Sequence, residues 1–96
     1  MNKDLVLEVL RKCKPELQTR FGVNKLSLFG SVVRGTADSD SDVDILVSFD
    51  GPATSKRYFG LQFFLEDLLD CSVDLVTEKA LRRELRPYVE QEMVIV

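Results

Sequence analysis

Between Lys3 and Arg20 the apolar residues Val6, Val9, Leu10, Cys13 and Leu17 recur at helical spacing, which predicts an amphipathic opening helix. Pro15 lies inside that run and cannot donate a backbone hydrogen bond, so a kink or a restart is expected there. Gly22 is placed to cap the helix C-terminus. From Lys25 to Phe29 the pattern changes to alternation, with Leu26 and Leu28 facing one way and Lys25 and Ser27 the other; this is a short strand. Gly30-Ser31 closes it. Ser31 to Arg34 reads as a helical turn ended by Gly35, and the polar stretch from Thr36 to Ser41 as a loop.

A second alternation puts Val43, Ile45, Val47 and Phe49 on one face of a strand that stops at the turn Asp50-Gly51-Pro52. Tyr58, Leu61, Phe64, Leu65 and Leu68 then form a stripe on a helix from Ser55 to Leu69. Ser72 to Thr77 is a third short strand. Beyond Glu78, the residues Leu81, Leu85, Tyr88, Val89 and Met93 share a helical face interrupted at Pro87, and Met93 to Val96 reads as a closing strand. This order predicts an α+β fold, with a short α/β-type mixed sheet flanked by helices. With 96 residues and no repeat or linker, residues 1–96 read as a single domain. Phe59, Phe63 and Val94 to Val96 fit a core and an interface equally well.

Charge and composition then exclude several classes. The net charge of −3 disfavours direct nucleic-acid binding, which ordinarily needs a basic stripe. Arg82, Arg83 and Arg86 cluster locally; a solvated helix face accounts for them, and phosphate contact stays open. The chain has no histidine, and its two cysteines, Cys13 and Cys71, are far apart. A zinc site is therefore not expected, and both thiols read as core residues in a reducing compartment. No uncharged run approaches eighteen residues, so no membrane span is expected. Asn2-Lys3-Asp4 leads straight into a charged periodic segment rather than a signal peptide. A cytoplasmic location is expected.

One stretch is chemically unusual. No positive side chain lies between Arg34 and Lys56, whereas Asp38, Asp40, Asp42, Asp44 and Asp50 are all acidic. Such crowding requires solvation or a cation. Asp38 and Asp40 read as a solvated turn. Asp42 and Asp44, two residues apart at the start of the second strand, leave the same face. Asp74 sits within the third strand and joins them if the two strands are neighbours. Aspartate is a poor strand former, so three of them inside apolar strand patterns mark a candidate site. Paired carboxylates on a rigid strand suit Mg²⁺, which binds through few carboxylates plus substrate phosphates. An EF-hand is excluded, because the sixth and twelfth positions counted from Asp38 are Val43 and Phe49 rather than Gly and Glu. Ahead of the strand, Gly30 and Ser31 form either plain turn chemistry or a phosphate cradle of exposed backbone amides. Ser31 can cap the turn or donate to a phosphate, and Arg34 is placed to hold phosphate charge.

Gly30-Ser31-Val32-Val33-Arg34-Gly35, followed by Ser41-Asp42-Val43-Asp44-Ile45-Leu46-Val47 and by Asp74 within Ser72-Val73-Asp74-Leu75-Val76, resembles the nucleotidyltransferase superfamily that includes DNA polymerase β. Its minimal nucleotidyltransferase branch is the most similar, and the resemblance covers nearly the whole chain. It implies that Asp42 and Asp44 hold two Mg²⁺ ions bridging the triphosphate. Asp74 would complete the second metal site and accept the acceptor hydroxyl's proton, while Gly30 and Ser31 position the β- and γ-phosphates. The implied activity moves a nucleoside monophosphate, AMP from ATP, onto a protein acceptor. The implied partner is a HEPN-domain toxin modified on a tyrosine, which would make this chain the antitoxin of the pair. Two other readings remain open: a module that neutralises its partner by occlusion, and a transferase acting on a small molecule or an RNA end.

Overall fold

The chain alternates helix and strand, and each boundary has a local cause. In this computed structural model, which describes residues 2–96, α1 spans Lys3–Phe21, β1 Val23–Phe29, α2 Ser31–Arg34, β2 Val43–Phe49, α3 Ser55–Leu69, β3 Val73–Thr77, α4 Arg86–Glu92 and β4 Val94–Ile95. The Asn2 side chain opens α1 by accepting from the backbone N–H of Asp4 at 2.8 Å and of Leu5 at 3.4 Å. Gly22 closes it in the left-handed conformation at φ 71°. The expected restart at Pro15 does not occur, since α1 runs unbroken through it. Both Pro15 and Arg11, whose carbonyl the missing N–H would have served, lie at the surface where water can replace the bond. The buried stripe of α1 is Val6, Leu7, Leu10 and Leu17. It thus includes Leu7, three residues before Leu10 but not part of the expected stripe, while Val9 and Cys13 are only partly buried.

The sheet order is β3-β2-β1-β4. β2 runs antiparallel to β1 and parallel to β3, and β4 adds antiparallel to the outer edge of β1. The parallel step is the one that needs a long crossover, and α3 supplies it. β1 starts two residues earlier than the alternation suggests. Its register shifts between Val23 and Lys25, which lets Val23, Leu26 and Leu28 all be buried.

α1 and α3 cover one face of the sheet. There Leu10, Leu17, Leu26, Leu28, Val43, Ile45, Val47, Leu61 and Leu65 are fully buried. On the opposite face Ser27, Leu46 and Val89 are also buried, but outside that main cluster. Phe59 and Phe63 lie on the outside of α3, 50% and 65% exposed, so neither is core. Val96 is buried against the main core, and Ile95 is exposed. Among the described residues no helix is long and apolar enough to cross a membrane.

The C-terminal third differs most from expectation. Residues 78–85 form turns rather than helix, and Pro87 occupies the first turn of α4 instead of interrupting a longer helix. Proline fits there because its missing N–H has no helical partner to lose. Leu85 and Tyr88 point to solvent, 50% and 71% exposed, and Val89 alone of α4 is buried. The arginines therefore share no helix face. Arg82 and Arg83 are exposed in the turns, while Arg86 donates to the Glu78 carbonyl at 2.8 Å and pairs with Glu90 at 3.6 Å.

These burial differences set expected stabilities. Leu61→Ala should cost about 2–5 kcal/mol in urea denaturation, whereas Phe63→Ala should stay within about 0.5 kcal/mol. Equal losses for the two would show that the outer face of α3 is covered in solution.

Candidate active site

Strand register brings the acidic residues together. Asp44 and Asp74 are paired Cα partners across the parallel β2–β3 ladder, so their side chains leave the same face side by side. Phe29, the last residue of β1, pairs with Asp44 on its other side. The turn that follows Phe29 is thereby delivered to the Asp44 carboxylate. Asp42 lies just before β2 and is exposed, as is Asp74, while Asp44 is half-buried.

The Asp44 carboxyl is pushed up to about 6. Burial is the main cause; the charge of Asp74, a side-chain hydrogen bond to it and the charge of Asp42 add to the rise, and Arg34 opposes them. Among the described residues no three acidic, cysteine or histidine side chains close into a ready-made metal cage. What the strands present is an open pair, Asp44 and Asp74, with the charge of Asp42 nearby.

Gly30 has two independent reasons to be glycine. Its backbone sits at φ 79°, ψ −153°, a region essentially closed to other residues. A Cβ there would also collide with the Asp44 carboxylate, 2.7 Å from its Cγ. The turn can thus lie flat against the acidic pair only because no side chain intervenes. Ser31 begins α2. It does not cap the turn, the role the sequence allows it: Gly30 is the N-cap residue and no side chain caps it. Among the described residues the Ser31 hydroxyl takes no hydrogen-bond partner and stays available. Asp38 and Asp40 form the expected turn, in which the Asp38 carboxylate accepts from the Asp40 N–H at 2.9 Å and the Ser41 hydroxyl at 3.2 Å.

One residue of the site is not apparent from sequence. The Glu92 carboxylate, at the end of α4, accepts from the Gly30 N–H at 2.9 Å and from Arg34 at 3.0 Å to each oxygen. It lies 62 residues from Gly30 in the chain. Only the pairing of Val94 with Leu28 carries it to the end of β1, so no local motif announces it.

Comparison with known proteins follows the same lines. The family model described as a nucleotidyltransferase domain matches residues 10–96. The protein adenylyltransferase MntA of Thermococcus cleftensis is 43% identical over 88 residues, covering 92% of this chain and 89% of that protein. A candidate protein adenylyltransferase of Methanocaldococcus jannaschii is 34% identical over 88 residues, covering 92% and 87%. A solved structure of a candidate minimal nucleotidyltransferase superposes with a TM-score of 0.81 at 37% identity, covering 98% of this chain and 95% of that one. A toxin–antitoxin structure with AMP-PNP superposes at 0.69 with 26% identity, covering 99% and 72%.

The raised Asp44 carboxyl has a thermodynamic consequence with a definite sign. The folded chain holds this proton up to about pH 6, the unfolded chain only to about 3.8. The resulting stabilisation is complete below the unfolded value and is lost as pH rises through the folded one. Without metal, Asp44→Asn should therefore be more stable than the parent above pH 6, on the order of 1 kcal/mol after discounting for solvent screening of a part-exposed group. That is a gain of a few degrees in Tm, and it should vanish near pH 4. A pH-independent difference in thermal melts would remove the ionisation of Asp44 as its cause.

Proposed function

We propose that this chain, because it belongs to the nucleotidyltransferase-domain family, transfers AMP from ATP onto a tyrosine of a HEPN-domain toxin and serves as that toxin's antitoxin. The observation that carries the chemistry is the Asp44–Asp74 pair set against the Gly30 turn. The 43%-identical relative is named a protein adenylyltransferase, which supports a protein acceptor. The toxin–antitoxin structure with AMP-PNP supports both an adenine triphosphate and a toxin partner. The HEPN class of that partner and the tyrosine rest on the motif resemblance.

The donor set fits Mg²⁺. Asp44 and Asp74 offer hard oxygens from adjacent strands, and their mutual repulsion is the condition that a divalent cation relieves. Bound Mg²⁺, two ions in this reading, would stabilise charge developing on the phosphoryl oxygens. Asp42 and Asp44 would hold these ions with Asp74. The Gly30 amide and Ser31 hydroxyl would donate to the β- and γ-phosphates, and Arg34 would lend them its charge. Asp74, exposed at the edge of the pair, would accept the proton of the attacking tyrosine hydroxyl as its oxygen bonds to the α-phosphorus and pyrophosphate leaves. Phosphoryl chemistry of this kind depends on positioning and electrostatics and needs no covalent enzyme intermediate. A chain without histidine is not handicapped for it.

Incubation with a HEPN-domain toxin, Mg²⁺ and ATP labelled at the α-phosphate should place label on a toxin tyrosine. Asp42→Asn and Asp44→Asn should each lower transfer by more than about 100-fold, since even residues that merely orient metal ligands cost roughly 10- to 100-fold. Ser31→Ala should weaken MgATP binding by about tenfold, the worth of one hydrogen bond to a charged group. Toxin neutralised without any label would establish the occluding module instead; label on RNA or a small molecule would establish a different acceptor.

A further inference from the structure

We infer that Glu92 is a built-in competitor for the triphosphate, a carboxylate that holds the phosphate donors of the turn until nucleotide displaces it. The inference rests on the proposed reading of the site and adds to it a residue that sets nucleotide affinity.

Besides the Ser31 hydroxyl, two groups of this turn and its helix would serve the phosphates, the Gly30 N–H and the Arg34 guanidinium. The single Gly30 N–H and one nitrogen of Arg34 are already engaged, and by the same side chain. Glu92 accepts from Gly30 at 2.9 Å, and both of its oxygens lie 3.0 Å from one Arg34 nitrogen. A backbone amide and an arginine converging on one oxyanion is an arrangement suited equally to a phosphate. The Gly30 N–H has one hydrogen to give, so carboxylate and phosphate exclude each other there, while at Arg34 they compete for its charge.

The surroundings favour exchange. The Glu92 side chain is 25% exposed and that of Arg34 54%, so the ion pair lies at the rim and is only weakly held. Glu92 also brings a further negative charge to a turn that already touches the Asp44 carboxylate. A triphosphate carries more charge to Arg34 than one carboxylate does, and cations held by the acidic pair would offset its repulsion. Departure of Glu92 frees the C-terminal turn of α4, of which Val89 is the one buried side chain. β4 stays in place through its own ties: Val96 N–H donates to the Leu26 carbonyl at 2.9 Å and Lys14 donates to the Val96 carbonyl at 2.8 Å. Nucleotide binding should therefore loosen α4 while the sheet stays closed, the reverse of the usual tightening around a ligand.

Glu92→Gln tests this without removing the side chain. The amide can still accept from Gly30 but brings no charge to Arg34. Calorimetric titration with MgATP should show the variant binding about fivefold tighter than the parent, the equivalent of one rim ion pair no longer to be broken. In the parent, amide hydrogen exchange across residues 86–92 should quicken when Mg²⁺ and a non-hydrolysable ATP analogue are added. Equal or weaker binding by Glu92→Gln, or exchange that slows or stays unchanged, would make Glu92 a fixed support of the turn and overturn the inference while leaving the nucleotidyltransferase reading intact. Failure of both proteins to bind MgATP would overturn that reading, and the inference with it.

Discussion

Two carboxylates standing in register on adjacent parallel strands repel, and that repulsion organises everything around it. Asp44 and Asp74 pair across β2 and β3. Burial first, and then the charge of Asp74, keep the proton on Asp44 up to about pH 6, and a divalent cation would relieve the same repulsion. The pair can exist only because the opposite face of the same strands is securely apolar, with Val43, Ile45, Val47, Val73 and Leu75 buried under α1 and α3. A one-residue slip of β3 would carry Asp74 to the core face and Val73 or Leu75 to the site. The stability of the core and the placement of the site are thus a single register constraint.

The same alternation explains why much of the site is legible in the amino-acid sequence. Asp42, Asp44 and Asp74 interrupt apolar strand patterns at positions where a strand has no use for them, and Gly30 marks the turn that must approach Asp44. What alternation cannot supply is neighbourhood. That β3 joins β2 in parallel follows from the α3 crossover, but that β4 returns to the far edge of β1 has no local signature, so nothing in the sequence points to Glu92. Two of the differences between pattern and fold share one physical cause. Proline in a helical pattern predicts a break at Pro15 in α1 and at Pro87 in α4. Yet one lies where water can replace the lost bond and the other in a first turn, where no bond is lost. Proline marks a missing donor; its consequence depends on where the orphaned carbonyl lies, which the sequence does not state.

The arginine cluster illustrates the converse error. Arg82, Arg83 and Arg86 look like one basic surface only if residues 78–92 form one helix. With turns in 78–85, Arg86 is spent on the Glu78 carbonyl and Glu90. The cation that matters to the site is Arg34, which lies one turn beyond Gly30 and lowers the Asp44 carboxyl against the other influences on it.

A two-sided sheet in so short a chain must also cover its second face, and that requirement reaches the site. Ser27, Leu46 and Val89 are buried away from the main core. On that side Val89 of α4 is buried, and β4 pairs Ile95 with Ser27 along the edge of β1. Placing residues 86–96 there brings Glu92 to the end of β1, against the Gly30 N–H and Arg34. The segment that completes the fold therefore also presents an anion where the proposed triphosphate would sit. Burial of Val89 and pairing of β4 do not depend on the Glu92 carboxylate, so the fold can keep its cover while the carboxylate yields its donors. Competition at the turn is in this way confined to one side chain and the last turn of one short helix, and the acidic pair on β2 and β3 keeps its geometry throughout.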